Sequence, residues 1–290
     1  MKTVIIEKYS QGSYLIRGFL FQRKLWSSHI FVSLIMVFGF YLIFPPDNLR
    51  NTQVLGAQIV EIEDSTSLPD QHIVTHGPKD QKKIALTFDA EMTDGMKANL
   101  LSGKVKSSYD KRIVDTLNQT NIKATFFLTG MWIELYPDVT RELSNNPLFE
   151  LGSHSYTDSS FEGSCYGLEQ LSETKEQEDI ESTQKLLKEV AGVDNHLFRF
   201  PGGCYSQEDL DTLNNSGLKV VHWDVSGSDG FNLNSASIEQ NVINRVQNGS
   251  VIILHLNGAP TAPATAEALP KIISELKTRG FEFVKVSELL

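Results

Sequence analysis

Only two cysteines, Cys165 and Cys204, occur among 290 residues. That is too few for a disulfide-dense scaffold or a four-thiolate zinc site. Positive charge is scarce as well: 26 Lys and Arg stand against 36 Asp and Glu, a formal net charge of -10. Recognising phosphates takes clustered Lys and Arg, so no nucleic-acid partner is expected. No run of residues recurs at a fixed period, which sets aside solenoids and propellers. Nothing in the sequence singles out a protein partner.

One absence is local. Residues 25–46 contain no Asp, Glu, Lys or Arg, and their centre reads IFVSLIMVFGFYLIF. A helix crosses the hydrocarbon core in ~20 residues, so this run is long enough. Lys2, Lys8, Arg17, Arg23 and Lys24 precede it, and Asp47, Glu61, Glu63, Asp64 and Asp70 follow it. The positive-inside rule then gives a cytoplasmic segment at 1–24, a transmembrane anchor at 25–46 and an extracytoplasmic remainder. A cleaved signal peptide is the alternative, but the first small-x-small site, near Gly56 and Ala57, lies far downstream. A single-pass anchor in the cell membrane is therefore expected. Residues 47–78 are polar and aperiodic and read as a flexible linker, with a globular domain at 79–290.

Within that domain, short apolar runs alternate with amphipathic stretches. Strands are predicted at 83–88, 123–128, 149–153, 196–200, 218–223, 250–255 and 281–286. Helices are predicted at 110–119, 132–145, 172–190, 207–215, 235–247 and 265–278. Such alternation specifies an α/β fold with a parallel sheet, and seven strands in one block favour a barrel-like closure. Working residues of parallel α/β folds collect at the carboxyl ends of strands. Those ends carry Asp89 and Glu91, then His154, Arg199, Asp224 with Asp229, and His255.

Each cluster has a bland and a chemical reading. IALTFDAEMTDG, at 84–95, runs a buried strand into Asp89, Glu91 and Asp94. It is either a solvated strand end or an acidic site that requires a cation. His154 and Asp158, four apart, could share one face and supply part of a zinc shell, or Asp158 could cap a turn. Arg199 precedes a Pro-Gly-Gly turn, and Gly202 and Gly203 could present backbone N–H groups as an oxyanion site. Tyr205 beside them and Trp223 as an aromatic wall complete the candidate substrate-binding residues. His255 ends the apolar run VIILH, either as a satisfied core histidine or as a general acid oriented by Asp229.

Together these segments resemble the polysaccharide deacetylases of the NodB-homology type, carbohydrate esterase family four, over about 83–290. TFDA (87–90) stands for the family's Thr-Phe-Asp-Asp and HSYTD (154–158) for its His-Ser/Thr-x-x-His. RFPGG (199–203), WDVSGSD (223–229) and LH (254–255) follow in the family's order. The resemblance implies a distorted parallel (β/α) barrel and a divalent metal, zinc first, with cobalt or manganese as alternatives. It makes Asp89 the general base, Arg199 the residue tuning it, His255 the acid that protonates the leaving amine, and Asp229 its support. His154 would be a metal ligand. Two departures stand out: the family's second aspartate is Ala90, leaving Glu91 or Asp94 in its place, and its second metal histidine is Asp158. The tryptophan that follows the orienting aspartate is Gly230. A shared site would also bring the loops holding Cys165 and Cys204 together, so a disulfide between them is expected outside the membrane. The resulting expectation is a membrane-anchored, metal-dependent N-deacetylase of an acetylated glycan. The alternatives are a catalytically silent anchored glycan-binding protein and an O-acetyl esterase.

Overall fold

Period two along one strand divides the interior. The strand is Lys83–Ala90, β1, and in it Ile84, Leu86, Phe88 and Ala90 pack into the large apolar cluster shared with the helices. Ala85 belongs to a second, smaller cluster on the other face, and Thr87 and Asp89 share its parity. The computed structural model describes residues 73–290 apart from Ser164 and Asn215. The expected cytoplasmic segment, the anchor at 25–46 and most of the linker therefore lie outside the described residues. Among the described residues, no helix is long and apolar enough to cross a membrane.

The remaining strands are β2 (Ala124–Leu128), β3 (Phe149–Ser153), β4 (Leu197–Phe198), β5 (Lys219–Val220), β6 (Val225–Ser226), β7 (Val251–His255) and β8 (Glu282–Val284). They form one sheet in the order β5-β4-β3-β2-β1-β7-β6, and every strand pair is parallel. The eighth strand, β8, pairs with Lys83–Ala85 on the edge of β1 whose upper half, from Thr87, holds β2. Only four residues separate β5 from β6, although they end opposite flanks of the sheet. Five Cα steps span at most ~18 Å, so the sheet must curl back toward itself. The smaller apolar cluster (Ala85, Phe127, Leu197, Val251 and Val284 among its members) fills the inside of that curl.

Helices connect the strands: α1 (Asp94–Leu101), α2 (Lys111–Thr120), α3 (Gly130–Leu135), α4 (Pro137–Asn145), α5 (Glu173–Ala191), α6 (Gln207–Asn214), α7 (Ser235–Ile243), α8 (Thr265–Thr278) and α9 (Val286–Leu289). Gly280 follows α8 with φ at 82°, the stop its position predicts.

Three expectations are corrected. The run at 218–223 is not one strand. Its first part pairs with β4, and the chain then crosses to pair β6 with β7 on the other flank. The single helix expected at 132–145 is two, because Pro137 lacks an N–H and forces Tyr136 out of helical geometry, at φ -127° and ψ 52°. Finally, residues 73–77 are not linker. The Val74 amide donates to the Val220 carbonyl at 2.9 Å and the Gly77 amide to the Gly249 carbonyl at 2.7 Å, so this segment lies across the gap between the two flanks.

Candidate active site

Strand register sets the neighbours of Asp89. Asp89 and His255 are direct partners in the β1–β7 ladder, and Phe127 of β2 lies opposite Asp89 on the other side. Gly152 of β3 makes room for the Phe127 ring, since a Cβ there would stand 2.7 Å from it. The ring in turn carries the Arg199 guanidinium 4.0 Å above its centre.

Arg199 is fully buried. It donates to Asp89 Oδ1 from Nη1 at 2.7 Å, to the Val221 carbonyl from Nε at 3.2 Å and to the His222 carbonyl from Nη2 at 3.3 Å. Burial pulls its pKa down and Asp89 works against that; a guanidinium stays charged under such conditions. One oxygen of Asp89 is thus held by the arginine. The other, Oδ2, lies 3.7 Å from His154 Nε2.

His154 follows β3, and its Nδ1–H donates to the Arg199 carbonyl at 2.8 Å. A carbonyl can only accept, so Nδ1 carries a proton, and in the neutral imidazole the lone pair is on Nε2. Nε2 lies 3.5 Å from Asp158 Oδ1, and neither of these buried atoms has a hydrogen-bond partner. The turn between them is strained: Ser155 and Asp158 have φ of 60° and 59°. Ser155 Oγ accepts from the Asp158 amide at 3.0 Å, and Asp179 of α5 accepts from the Tyr156 amide at 2.8 Å. The α3 start adds its Gly130 and Met131 amides, which donate to the carbonyls of Ser155 and Tyr156.

Glu91 completes the cluster. One ligand atom from each of Glu91, His154 and Asp158 lies within 4.8 Å of the others. Asp94 does not take part; it is exposed in the first turn of α1. Ala90 is buried in the large apolar cluster and offers no donor. Burial, then the charges of Glu91 and Asp89, push Asp158 well above the usual carboxylate range. Three carboxylates converge on a pocket whose arginine is committed to one of them. A lone pair, an orphaned carboxylate oxygen and excess negative charge fit a divalent cation.

On the opposite side, His255 Nδ1 lies 2.8 Å from Asp229 Oδ1 and Nε2 lies 3.1 Å from Glu91 Oε1. Asp229 Oδ2 also accepts from the His255 amide at 2.8 Å and from Thr265 Oγ1 at 2.6 Å. Burial opposes a charged His255, but Asp229 and then Glu91 outweigh it and push its pKa well above the ordinary value. For Asp229 burial pulls the other way too, and the histidine's charge and hydrogen bonds hold it below the usual range.

The other expected residues differ in their roles. The Gly203 amide donates to the Phe200 carbonyl at 2.9 Å, so it is not free as an oxyanion donor. What Gly203 provides is closeness, because a Cβ would stand 2.6 Å from both His222 and Trp223. Gly202, at φ 61°, lies under Cys165 and Tyr166. Tyr205 stacks on Phe200 with centroids 5.1 Å apart, and Trp223 stacks on His222 at 4.0 Å. Asp224 accepts from Ser250 and Val251 at the start of β7, away from the site. Cys165 and Cys204 are disulfide-bonded, with Cα atoms 6.1 Å apart. Closing a loop of 39 residues contributes about 4 kcal/mol in the chain-entropy view. One residue escaped the sequence reading: buried Asn257 accepts from the Glu91 amide at 3.0 Å and donates to the Glu91 carbonyl at 2.9 Å, fixing the backbone that carries this carboxylate. Nothing in the pattern LHLN announces that grip.

The sequence profile described as polysaccharide deacetylase matches residues 76–221, half of the chain. The chain belongs to the polysaccharide deacetylase family. Polysaccharide deacetylases are hydrolases acting on carbon–nitrogen bonds, and use of a divalent metal is general among them. This chain is 29% identical over 213 residues to a peptidoglycan-N-acetylglucosamine deacetylase of Bacillus cereus, covering 73% of this chain and 70% of that one. A crystal structure of a peptidoglycan N-acetylglucosamine deacetylase in complex with a benzamide ligand matches with a TM-score of 0.64 at 27% identity, over 75% of this chain and 92% of that one. A carbohydrate esterase family four pseudoenzyme from Bacillus anthracis gives 0.62 at 22% identity, over 76% and 69%, which shows the shared fold alone.

Proposed function

We propose that this polysaccharide deacetylase removes N-acetyl groups from amino sugars of a cell-envelope or extracellular polysaccharide. It does so from a membrane anchor at 25–46, with the domain outside the cell. The uncharged run and the basic-to-acidic switch across it support the anchor and its direction. The observation that carries the chemistry is the pair of partnerless buried atoms, His154 Nε2 and Asp158 Oδ1, beside Glu91. These three residues would hold the metal, with zinc the first choice and cobalt or manganese the alternatives. A divalent ion there supplies Lewis acidity, which lowers the pKa of water from ~15.7 to ~7.

The chain's own residues divide the proton transfers. Asp89 takes the proton of the attacking water at Oδ2, while Arg199 occupies Oδ1 and fixes the carboxylate's orientation. His255, charged through Asp229 and Glu91, gives its Nε2 proton to the departing amine nitrogen. Asp229, fixed by Thr265 and the His255 amide, keeps that imidazole oriented. The C–N bond breaks, acetic acid leaves with the water's oxygen and second proton, the amine leaves neutral, and Asp89 then loses its proton to solvent while His255 regains one.

The test is metal content of the purified protein alongside acetate release from an N-acetylglucosamine oligomer and from an O-acetylated sugar. About one metal per chain and acetate from the oligomer support the reading. Bound oligomer with neither metal nor acetate would make the protein a silent glycan binder, a reading favoured only by the Ala90 and Asp158 departures. Acetate from the O-acetylated sugar alone would make it an esterase.

A further inference from the structure

Large apolar side chains rarely stay in water in a folded domain without a reason when they gather at one place. Among the described residues, five stand exposed: Leu101, Tyr166, Phe231, Leu233 and Leu290. Leu101 ends α1 and Leu290 follows α9. The other three belong to two loops at the mouth of the site. Tyr166, 89% exposed, is tied by the adjacent Cys165–Cys204 disulfide to the turn after β4, and its ring lies 3.1 Å from where a Cβ on Gly202 would stand. Phe231, 78% exposed, and Leu233 follow β6, two and four residues after Asp229. The two loops rise from opposite flanks of the sheet, at the same ends of its strands.

Neither aromatic is exposed because its backbone is loose: Tyr166 sits in a turn closed by the Leu168 amide donating to the Cys165 carbonyl at 2.9 Å, beside the disulfide. Asn232 donates its amide to the Asp229 carbonyl at 3.1 Å, Phe231 donates its own to the Thr261 carbonyl at 2.6 Å, and the Asn232 side chain donates to the Ser228 carbonyl at 3.0 Å. These bonds hold Phe231 at φ 54°, and Tyr166 sits at 50°. Left-handed backbone disfavours side chains this large, and glycine would fit either place with less strain. A strained, rigid and solvent-exposed aromatic points to a ligand. Gly230 stands between Phe231 and the site, and a Cβ there would come no nearer than 4.0 Å to the His255 ring, so the space beside the acid is open.

A pyranose ring has hydroxyls round its edge and C–H groups on its faces. An aromatic face covers the C–H groups, removes apolar area from water and leaves the hydroxyls solvated. A ring already held in place loses little freedom on binding. We propose that Tyr166 and Phe231 are stacking platforms for two sugars of an extended glycan, one on each side of the residue being deacetylated, with Leu233 broadening the second. The inference rests on the proposed function for its ligand class, and it makes the substrate a polymer spanning at least three sugars.

The test is calorimetric titration of the metal-loaded full chain in detergent with a β-linked N-acetylglucosamine tetramer. Phe231→Ala and Tyr166→Ala should each weaken binding about tenfold, and together about a hundredfold if they act on separate sugars. KM for the tetramer should rise while kcat holds. Phe231→Trp should restore binding. Phe231→Gly should weaken binding yet melt at or above the wild-type temperature, because glycine relieves the left-handed strain, an outcome a merely structural phenylalanine would not give. Unchanged tetramer affinity in the double variant overturns the proposal, as does a wild-type protein that binds no tetramer. Loss of self-association or of vesicle binding in place of tetramer binding also overturns it, assigning the patch to a second copy or to the membrane. If the wild type binds the tetramer through these residues but releases no acetate, the platforms stand and the deacetylase reading fails.

Discussion

Two histidines, His154 and His255, face each other across the mouth of one sheet, and their Nδ1 atoms make bonds of the same length, 2.8 Å. The partners differ. His154 donates to a neutral carbonyl, that of Arg199, which fixes the tautomer of the neutral ring and puts its lone pair on Nε2. His255 meets the carboxylate of Asp229, which favours the second proton and makes Nε2 a donor. The surroundings follow the same division. The side chains of Asp89, His154, Asp158 and Arg199 are 0–3% exposed, whereas His255 and Glu91 are 18% and 20% exposed. A dry side suits a metal ligand set, and a wetter side suits a proton donor that a leaving group must reach. On the proposed function, one residue type would serve as ligand and as acid, according to what its Nδ1 touches. Glu91 belongs to both sides, within reach of the ligand cluster and 3.1 Å from His255.

The comparison can be broken most severely on the dry side. Asp158→Ala should lose the metal and with it all turnover, measured as metal stoichiometry after dialysis. Asp158→His should keep the metal and move the pH–rate profile to lower pH, because one negative charge fewer makes the ion a stronger Lewis acid. Full occupancy in Asp158→Ala would reduce Asp158 to a turn residue. Next in size is Asp89→Asn, expected to lower turnover by roughly 10²–10⁴ with metal content unchanged. Wild-type activity there would shift the role of base to Glu91.

On the wetter side, Asp229→Asn removes the charge that keeps His255 protonated. The acid must carry its proton to work, so the rate falls as pH rises through its pKa. With that pKa lowered, the falling limb should move to lower pH, with about tenfold loss of rate at neutral pH. An unmoved limb would separate His255 from the acid role. The smallest effect lies outside the site, where burial and then Asp209 push Glu176 of α5 up to about 7. A folded-state pKa raised above the unfolded one gives stability that is present at low pH and lost as pH rises through about 7. Glu176→Gln should therefore raise Tm by about 2 °C near pH 8 and leave it unchanged near pH 5. The same gain at both would mean that packing, not charge, decides.

Much of this was legible in the sequence because period two and strand ends are local signals. Alternation along β1 separates Leu86 and Phe88 from Thr87 and Asp89, and parallel topology brings the ends of β1, β3, β4 and β7 to one mouth. What stayed hidden depends on distant partners. Asn257 grips Glu91 across 166 positions, so no window of sequence contains both. The crossing between β5 and β6 is hidden because 218–223 reads as one strand, and the choice of flank belongs to the partner strands. Residues 73–77 look like linker because the run is too short to show a period, and the partners of its backbone and of Ile73 and Val74 lie far along the chain. The choice of Glu91 over Asp94 likewise required the turn into α1, which leaves Asp94 in solvent.

Nitrogen NMR of histidine-labelled protein at neutral pH, before and after zinc is added, tests the contrast between the two rings most directly. The rings are assigned with His154→Gln and His255→Gln variants. His154 should show a protonated Nδ1 and a bare Nε2 whose resonance moves when zinc binds, while His255 should show both nitrogens protonated. A His154 that carries its proton on Nε2, or that ignores zinc, would contradict the account, and so would a neutral His255.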